Sequence, residues 1–238
     1  MNLLRSTVLA AAFVLPAASA LAAPPPAGFS AEYEVFQNDK KLGVGTITLR
    51  VLADGRYELV THTEATQGMY GAAGIRRDER SVIDWRGAQP AGVSYRMEQR
   101  AAFSRRTHEI DIDAAARTAV SRYRDDTYRL QWSPALIDKH GLTAVMMSEL
   151  AAGWRGERTF SVAERRDVDA QVYRTAAAVR LRTAIGTERA IRVERVRGDG
   201  SGRVTKIWFA RERGWLPLRI KQYEGDGDTL DLRIVRVL

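Results

Sequence analysis

The residues best spaced for chemistry are Asp138, Lys139 and His140, which stand just before a stretch of helical periodicity. An aspartate two residues from a histidine can orient an imidazole for general-base catalysis. The same residues are also typical of a loop that leads into a helix, with Asp138 as a cap and Lys139 in solvent. We favour the loop, which is the commoner use of such residues.

The other histidines and carboxylates predict neither a catalytic nor a metal centre. No histidine lies in an H-E-x-x-H motif or at metal-binding spacing, and His108 falls on the apolar face of a predicted strand, as a core or rim histidine does. Asp111 and Asp113 share one strand face, where paired carboxylates can act on sugars, but the surrounding arginines favour a solvated charge ladder. Cysteine and the G-x-S-x-G motif are absent. We therefore predict a non-enzymatic protein with no catalytic residue, no metal and no cofactor.

Large apolar side chains around the helical stretch form the remaining candidate site. We predict a ligand pocket between helix and sheet that is lined by Trp132, Met146, Met147, Leu150 and Trp208. Methionine adapts to apolar ligands of variable shape, so such a pocket suits a lipid or an acyl chain. The alternative is that these five residues belong to an ordinary core.

The elements that must position these residues are mostly strands. Period-two alternation of apolar and polar residues predicts antiparallel strands with one buried face. It is clearest at 29–35, 46–51, 93–98, 108–113, 216–221 and 230–234. Helical spacing occurs near 134–153, with Ser133 and Pro134 as a start and Gly153 as a stop; if Gly141 interrupts the helix, the helix begins there. The predicted fold is mainly β: a strongly curved antiparallel sheet, or half-barrel, with one main α-helix packed on its concave face.

The first 23 residues are typical of a signal peptide. Arg5 supplies the positive charge, the apolar core Val8–Leu15 is too short to span a bilayer, and Ala18–Ala22 offers small residues for cleavage. Residues 24–238 then form a single antiparallel β domain without a transmembrane segment. Together with the absence of cysteine, the leader predicts export to a bacterial periplasm.

The chain is basic: 37 lysines and arginines stand against 29 aspartates and glutamates among 238 residues. Such a charge favours nucleic-acid binding or attraction to an anionic surface. Export argues against nucleic acid, so the interpretation that remains is an anionic envelope surface, unless the arginines only reflect GC-rich coding. Nothing in the sequence indicates an oligomeric state.

Segments at both ends of the predicted domain resemble the bacterial domain of unknown function 3108 family. The resemblance rests on Phe29–Phe36 with Leu42–Gly45, on Lys206–Phe209, and on Trp215–Ile220, while Asp138–Leu150 matches the family's helix more loosely. It implies an exported envelope protein whose fold is similar to the half-barrel of lipoprotein carriers. The resemblance carries over no catalytic residue.

These observations favour a non-enzymatic periplasmic protein that binds an apolar or amphiphilic envelope component, such as a lipid or an acylated protein. The alternative is a structural or assembly factor that contacts envelope partners through its basic face or a sheet edge. An enzyme acting on cell-wall polymer is the third hypothesis.

Overall fold

The computed structural model describes residues 23–87, 89–197, 200 and 202–238. The predicted signal peptide therefore lies outside the described residues, apart from Ala23. Within the described residues the chain forms fifteen strands and two α-helices, α1 (Gly68–Ala72) and α2 (Leu142–Ala151).

The strand bounds are as follows: β1 (Phe29–Gln37), β2 (Lys40–Val51), β3 (Tyr57–Ala65), β4 (Arg76–Asp84), β5 (Ala91–Ala101), β6 (Ser104–Asp113), β7 (Thr118–Tyr123), β8 (Asp126–Leu130), β9 (Ile137–Asp138), β10 (Glu157–Ala163), β11 (Val168–Thr183), β12 (Gly186–Val196), β13 (Val204–Ala210), β14 (Leu216–Tyr223) and β15 (Thr229–Val237).

All fifteen strands belong to one sheet, in the order β8 to β1 followed by β15 to β9. Each strand pairs with its sequence neighbour, and the two runs meet where β1 pairs antiparallel with β15. Every pairing is antiparallel except that of β9 with β10. The predicted antiparallel, mainly β architecture is confirmed.

The sheet curves until the segment at β9, one edge strand, touches β5, the fourth strand from the other edge. The backbone N–H of Gly92 in β5 donates to the carbonyl of Leu136, just before β9, at 2.8 Å. A Cβ at Gly92 would lie 3.0 Å from Ile112 Cδ1 and 3.1 Å from the Leu136 oxygen, so the close approach depends on glycine. We call this contact the seam.

Helix α2 is shorter than the predicted 134–153 segment. It begins at Leu142, because Asp138 Oδ1 accepts the backbone N–H groups of His140 and Gly141 and holds the preceding residues in a loop. Residues from Pro134 to Gly141 form that loop together with the two-residue strand β9. Ser133 and Pro134 are typical of a helix start, but no helix begins there.

Helix α2 is buried on nearly all sides. Eight of its ten residues are buried, and its apolar ones share a core with inward side chains of the sheet such as Tyr33, Leu49 and Phe209. Its buried polar residues are paired: Glu149 with Arg158 at 2.6 Å, and Ser148 with the indole of Trp85 at 3.3 Å. A helix that is apolar around most of its circumference belongs inside a core.

Helix α1 is a second, unpredicted helix, and none of its five residues is buried. In the described part of the chain, neither helix is long and apolar enough to cross a membrane.

Candidate functional site

A cavity of about 750 Å³ lies between the start of α2 and the inward face of the sheet. The turn between β10 and β11 also lines it. Its apolar lining includes Ile47, Leu59, Met97, Ile110 and Leu232. Its polar lining includes Thr61, Arg77, Glu79, Tyr95, His108 and His140. The cavity therefore offers a ligand both an apolar surface and hydrogen-bonding groups.

A chain of hydrogen bonds connects the cavity wall to a buried carboxylate. Ser81 donates to Asp138 Oδ1 at 2.6 Å, and its oxygen lies 2.8 Å from His140 Nδ1. Because the single Ser81 proton points to Asp138, His140 Nδ1 must donate to Ser81. In the neutral ring, Nε2 then accepts the hydroxyl of Thr61, which lies 2.8 Å away. This order leaves the lone pairs of Thr61 to accept a hydrogen bond from a bound molecule.

Asp138 is the buried end of this chain. Burial raises the pKa of its carboxyl group, while His140, Ser81 and the Gly141 N–H oppose the shift. Its Oδ2 atom is buried with no hydrogen-bond partner among the described residues. The carboxylate therefore holds the loop before α2 and fixes the orientation of the His140 ring.

A second polar cluster on the same wall joins Glu79, Arg77 and Tyr95. Arg77 forms two hydrogen bonds of 2.9 Å with Glu79, and the Tyr95 hydroxyl donates to Glu79 at 2.6 Å. Burial acts to raise the pKa of Glu79, but His140, Arg77 and Tyr95 together lower it to about 2. Glu79 is thus a fixed negative charge inside the cavity at neutral pH.

His108 lies on the neighbouring strand β6, between the rings of Tyr95 and Tyr123. Its Nε2 lies 3.0 Å from the Ser121 hydroxyl, which itself donates to the Arg165 carbonyl at 2.7 Å. Ser121 can therefore only accept from His108. Burial, and then the positive charge of Arg165, lower the pKa of His108 to about 4. The predicted rim histidine is thus a neutral hydrogen-bond donor at the cavity wall.

Three cations line the cavity without a carboxylate partner within 4.0 Å in the described part of the chain: Lys139, Arg165 and Arg166. All three are exposed. Arg165 and Arg166 stack over the rings of Tyr123 and Tyr128, at 4.6 and 5.7 Å. Stacking holds the guanidinium groups in place but leaves their N–H donors available to a ligand.

A larger cleft of about 840 Å³ lies on the outer face of β5, β6 and β7. Its charges already satisfy one another, because Arg96 and Arg122 each bind Asp111 at 2.6 Å. These pairs confirm the predicted charge ladder. Since no polar side chain that lines this cleft in the described part of the chain is buried, we place the candidate site in the smaller, inner cavity.

The five residues predicted to line a ligand pocket do not meet in one place. Met146, Met147 and Leu150 are each 1% exposed and belong to the main core. Trp132 is partly buried beside the outer cleft. Trp208 lies between the buried residues Ile207 and Phe209 and stacks with Arg219 at 5.2 Å. None of the five lines the inner cavity. Their role in ligand binding stays a prediction.

The sequence reasoning missed Thr61, Ser81, Glu79 and Tyr95. Thr61 and Ser81 each lie two residues from a buried apolar residue, Leu59 and Ile83, so a period of two places them on the inward face. That signal was available, but it does not reveal that His140 would meet them. Among the described residues, no group of three histidine, cysteine or acidic side chains is arranged to hold a metal ion.

Comparison with known proteins supports the fold. The sequence model of the family described as "Protein of unknown function (DUF3108)" matches residues 32–233. No curated protein matches the chain.

Several solved structures are similar. The crystal structure of a beta-barrel-like protein of domain of unknown function DUF1849 from Brucella abortus has a TM-score of 0.58 at 10% identity, covering 88% of this chain and 96% of that one. The MucA/MucB complex of Pseudomonas aeruginosa has a TM-score of 0.32 at 14% identity, covering 89% of this chain and 51% of that one. The crystal structure described as "a putative lipoprotein from Parabacteroides distasonis ATCC 8503" has a TM-score of 0.34 at 8% identity, covering 90% of this chain and 97% of that one. Only the first similarity is strong enough to support the fold.

Proposed function

The chain belongs to the DUF3108 family, and from that premise we propose that it binds an amphiphilic component of the cell envelope in the inner cavity. The observation that carries the proposal is a cavity of about 750 Å³ that combines an apolar lining with unpaired cations. Ligand sites typically have volumes of about 300 to 1,000 Å³ and a few placed polar groups. The periplasm, as indicated by the leader, is where we expect binding.

In this proposal α2 lies on the concave face of the sheet and fills only part of it. The floor of the cavity is lined by His140, from the loop before α2, and by Thr143, from the first turn of α2. An apolar chain packs against Leu59, Ile110 and Leu232. Each buried CH₂ contributes about 0.8 kcal/mol, so eight buried carbons contribute about 6 kcal/mol.

The polar end of the ligand is anionic in this proposal. Arg165 and Arg166 stand on the exposed turn between β10 and β11 and have no carboxylate partner within 4.0 Å among the described residues. A phosphate or carboxylate accepts hydrogen bonds from guanidinium groups readily. The class of ligand is therefore a lipid, or the acyl chain of an acylated protein, with a negative group near its head.

Native mass spectrometry of protein purified gently from its own cells tests the proposal first. A discrete added mass that organic solvent releases, and that is identified as a lipid, is the expected result. Binding of a fluorescent fatty acid then locates the site. Thr143→Trp fills the inner cavity and should weaken binding at least about tenfold.

Ser94→Trp provides the matched control, because Ser94 lines the outer cleft. It should leave the affinity unchanged. Loss of binding in Ser94→Trp but not in Thr143→Trp would move the site to the outer cleft. Absence of any bound lipid or probe would contradict the proposal.

A second candidate function is assembly with an envelope protein through a sheet edge. Strand β8 (Asp126–Leu130) is the end of the sheet order, so one side of it has no strand partner among the residues that the structure describes. Such an edge can pair with a strand of another chain. A lipid-free mass together with one co-purifying protein would favour this function over the first.

A further inference from the structure

Two short connections project together from the end of the sheet where the inner cavity is lined by Thr63 and Arg77. They are α1 and the turn between β5 and β6, and the Ala102 N–H joins them by donating to the Ala73 carbonyl at 2.7 Å. Their large apolar side chains point into solvent: Met69 is 86% exposed and Phe103 is 107% exposed. Tyr70 is 46% exposed. We call residues 65–77 and 99–106 the apolar tip.

The apolar tip is also basic. Its two segments contain five arginines and no carboxylate: Arg76, Arg77, Arg100, Arg105 and Arg106. Glu79 binds Arg77, while Glu98 binds both Arg100 and Arg105. Arg76 and Arg106 are exposed and form no ion pair within the described residues. The positive charge is local, since the β14–β15 turn at the same end carries Glu224, Asp226 and Asp228.

Single exposed apolar residues are ordinary on protein surfaces. Three on adjoining projections, beside unpaired arginines, are the combination that binds an anionic bilayer: apolar side chains enter the interface while cations meet lipid phosphates. A protein partner would more often need a broad or concave apolar patch, whereas these side chains stand on narrow projections. Charge complementarity therefore favours a membrane surface as the occupant.

We infer that the apolar tip docks the protein on the surface of a bilayer that contains anionic phospholipid. Met69, Tyr70 and Phe103 enter the interface, and Arg76 and Arg106 contact phosphate groups. Docking in this orientation brings the cavity end of the sheet to the lipid. The inference goes beyond the proposed function and does not depend on it, because the tip needs no ligand in the cavity.

Co-sedimentation with vesicles tests the inference, using protein expressed from the full coding sequence. One set of vesicles is phosphatidylcholine alone, and the other also contains phosphatidylglycerol. The protein should bind the anionic vesicles. Met69→Ser with Phe103→Ser should weaken that binding at least about tenfold. Arg76→Gln with Arg106→Gln should remove the preference for vesicles that contain phosphatidylglycerol. Vesicle binding by this variant should also no longer fall as the salt concentration rises.

The matched control is Val179→Ser with Arg180→Gln on β11, which changes an exposed apolar residue and an exposed arginine away from the tip. It should bind vesicles like the wild type, and equal melting temperatures should show that every variant folds. Absence of binding to anionic vesicles, or equal binding by the tip variants, would overturn the inference. Self-association or protein capture that the tip variants abolish, without vesicle binding, would assign the tip to a protein contact and also overturn it.

The experiments distinguish failure of the cavity proposal from failure of the apolar-tip proposal. The tip variants should keep the wild-type affinity for the fluorescent fatty acid in solution, and Thr143→Trp should keep wild-type vesicle binding. Loss of both activities in one variant would show that the cavity and the tip are not independent, and would contradict the inference as stated.

Discussion

Acidification should destabilise the folded protein through His108. Burial and the neighbouring Arg165 lower the pKa of His108 from 6.5 to about 4; Arg77 adds to this effect and Glu79 opposes it. The unfolded chain takes up a proton at His108 near pH 6.5, whereas the folded protein does so only near pH 4. The stabilisation by neutral His108 is therefore complete above about pH 6.5 and is lost as the pH falls from about 6.5 to about 4.

The two pKa values set the size of the effect. Through proton linkage, the difference between the two pKa values lowers the free energy of unfolding by about 2 kcal/mol at about pH 5. The ring is partly exposed, so solvent screening reduces the expected loss to about 1 to 2 kcal/mol. For a domain of this size, that loss lowers the melting temperature by about 2 to 8 °C.

His108→Gln isolates the contribution. Glutamine can still donate an amide N–H to Ser121 but has no proton to gain. Denaturant unfolding of both proteins at about pH 7.5 and about pH 5 measures the difference. Other titrating groups do not explain a larger loss of stability in the wild type. Glu79 titrates at lower pH. Asp138 and Glu149 have raised pKa values, so acid stabilises the fold through them instead of destabilising it. Equal losses in the wild type and the variant would refute the reasoning.

Three further substitutions test the fold. Leu150→Asp should abolish folding, because it places an unpaired carboxylate in the core; a wild-type melting curve would remove α2 from that core. Gly92→Val should lower the free energy of unfolding by about 1 to 3 kcal/mol, because the side chain obstructs the seam. Gly87→Ala, in an exposed turn, is the control and should leave that free energy unchanged. Similar values for both variants would show that the seam tolerates a side chain. Tyr33→Phe should cost about 1 to 2 kcal/mol in denaturant unfolding, because its buried hydroxyl donates to the Pro217 carbonyl at 2.7 Å; no measurable cost would show that this bond contributes nothing.

The sheet could be predicted from sequence because alternation is a local property. Ala31, Tyr33 and Val35 are buried while Glu32 and Glu34 between them are not, as a period of two requires. The helix start was harder, since Ser133 and Pro134 satisfy the usual rules for a helix N-terminus. A distant residue decided it: Ser81 binds Asp138, which keeps the following residues out of the helix.

The candidate site depends on contacts between residues far apart in sequence. Thr61 and His140 are 79 residues apart, and only the curvature of the sheet brings them together. The strand pattern also bears on Trp208, because Ile207 and Phe209 on either side of it are buried. A period of two places the Trp208 side chain on the opposite face of β13 from these two residues.

The pairing of β1 with β15 also governs the order in which the protein folds. The two strands are adjacent in the sheet but far apart in sequence. Arg236 in β15 donates a hydrogen bond of 2.6 Å to Glu32 in β1, 204 residues earlier. The first half of the sheet can form hairpin by hairpin, but its junction with the second half must wait for the last strand. Contacts of such separation fold slowly, because the entropy of closing the loop is lost before any pairing energy is gained. A chain with this topology completes its sheet only when β15 pairs with β1, so the two runs of hairpins stay unjoined until that pairing forms.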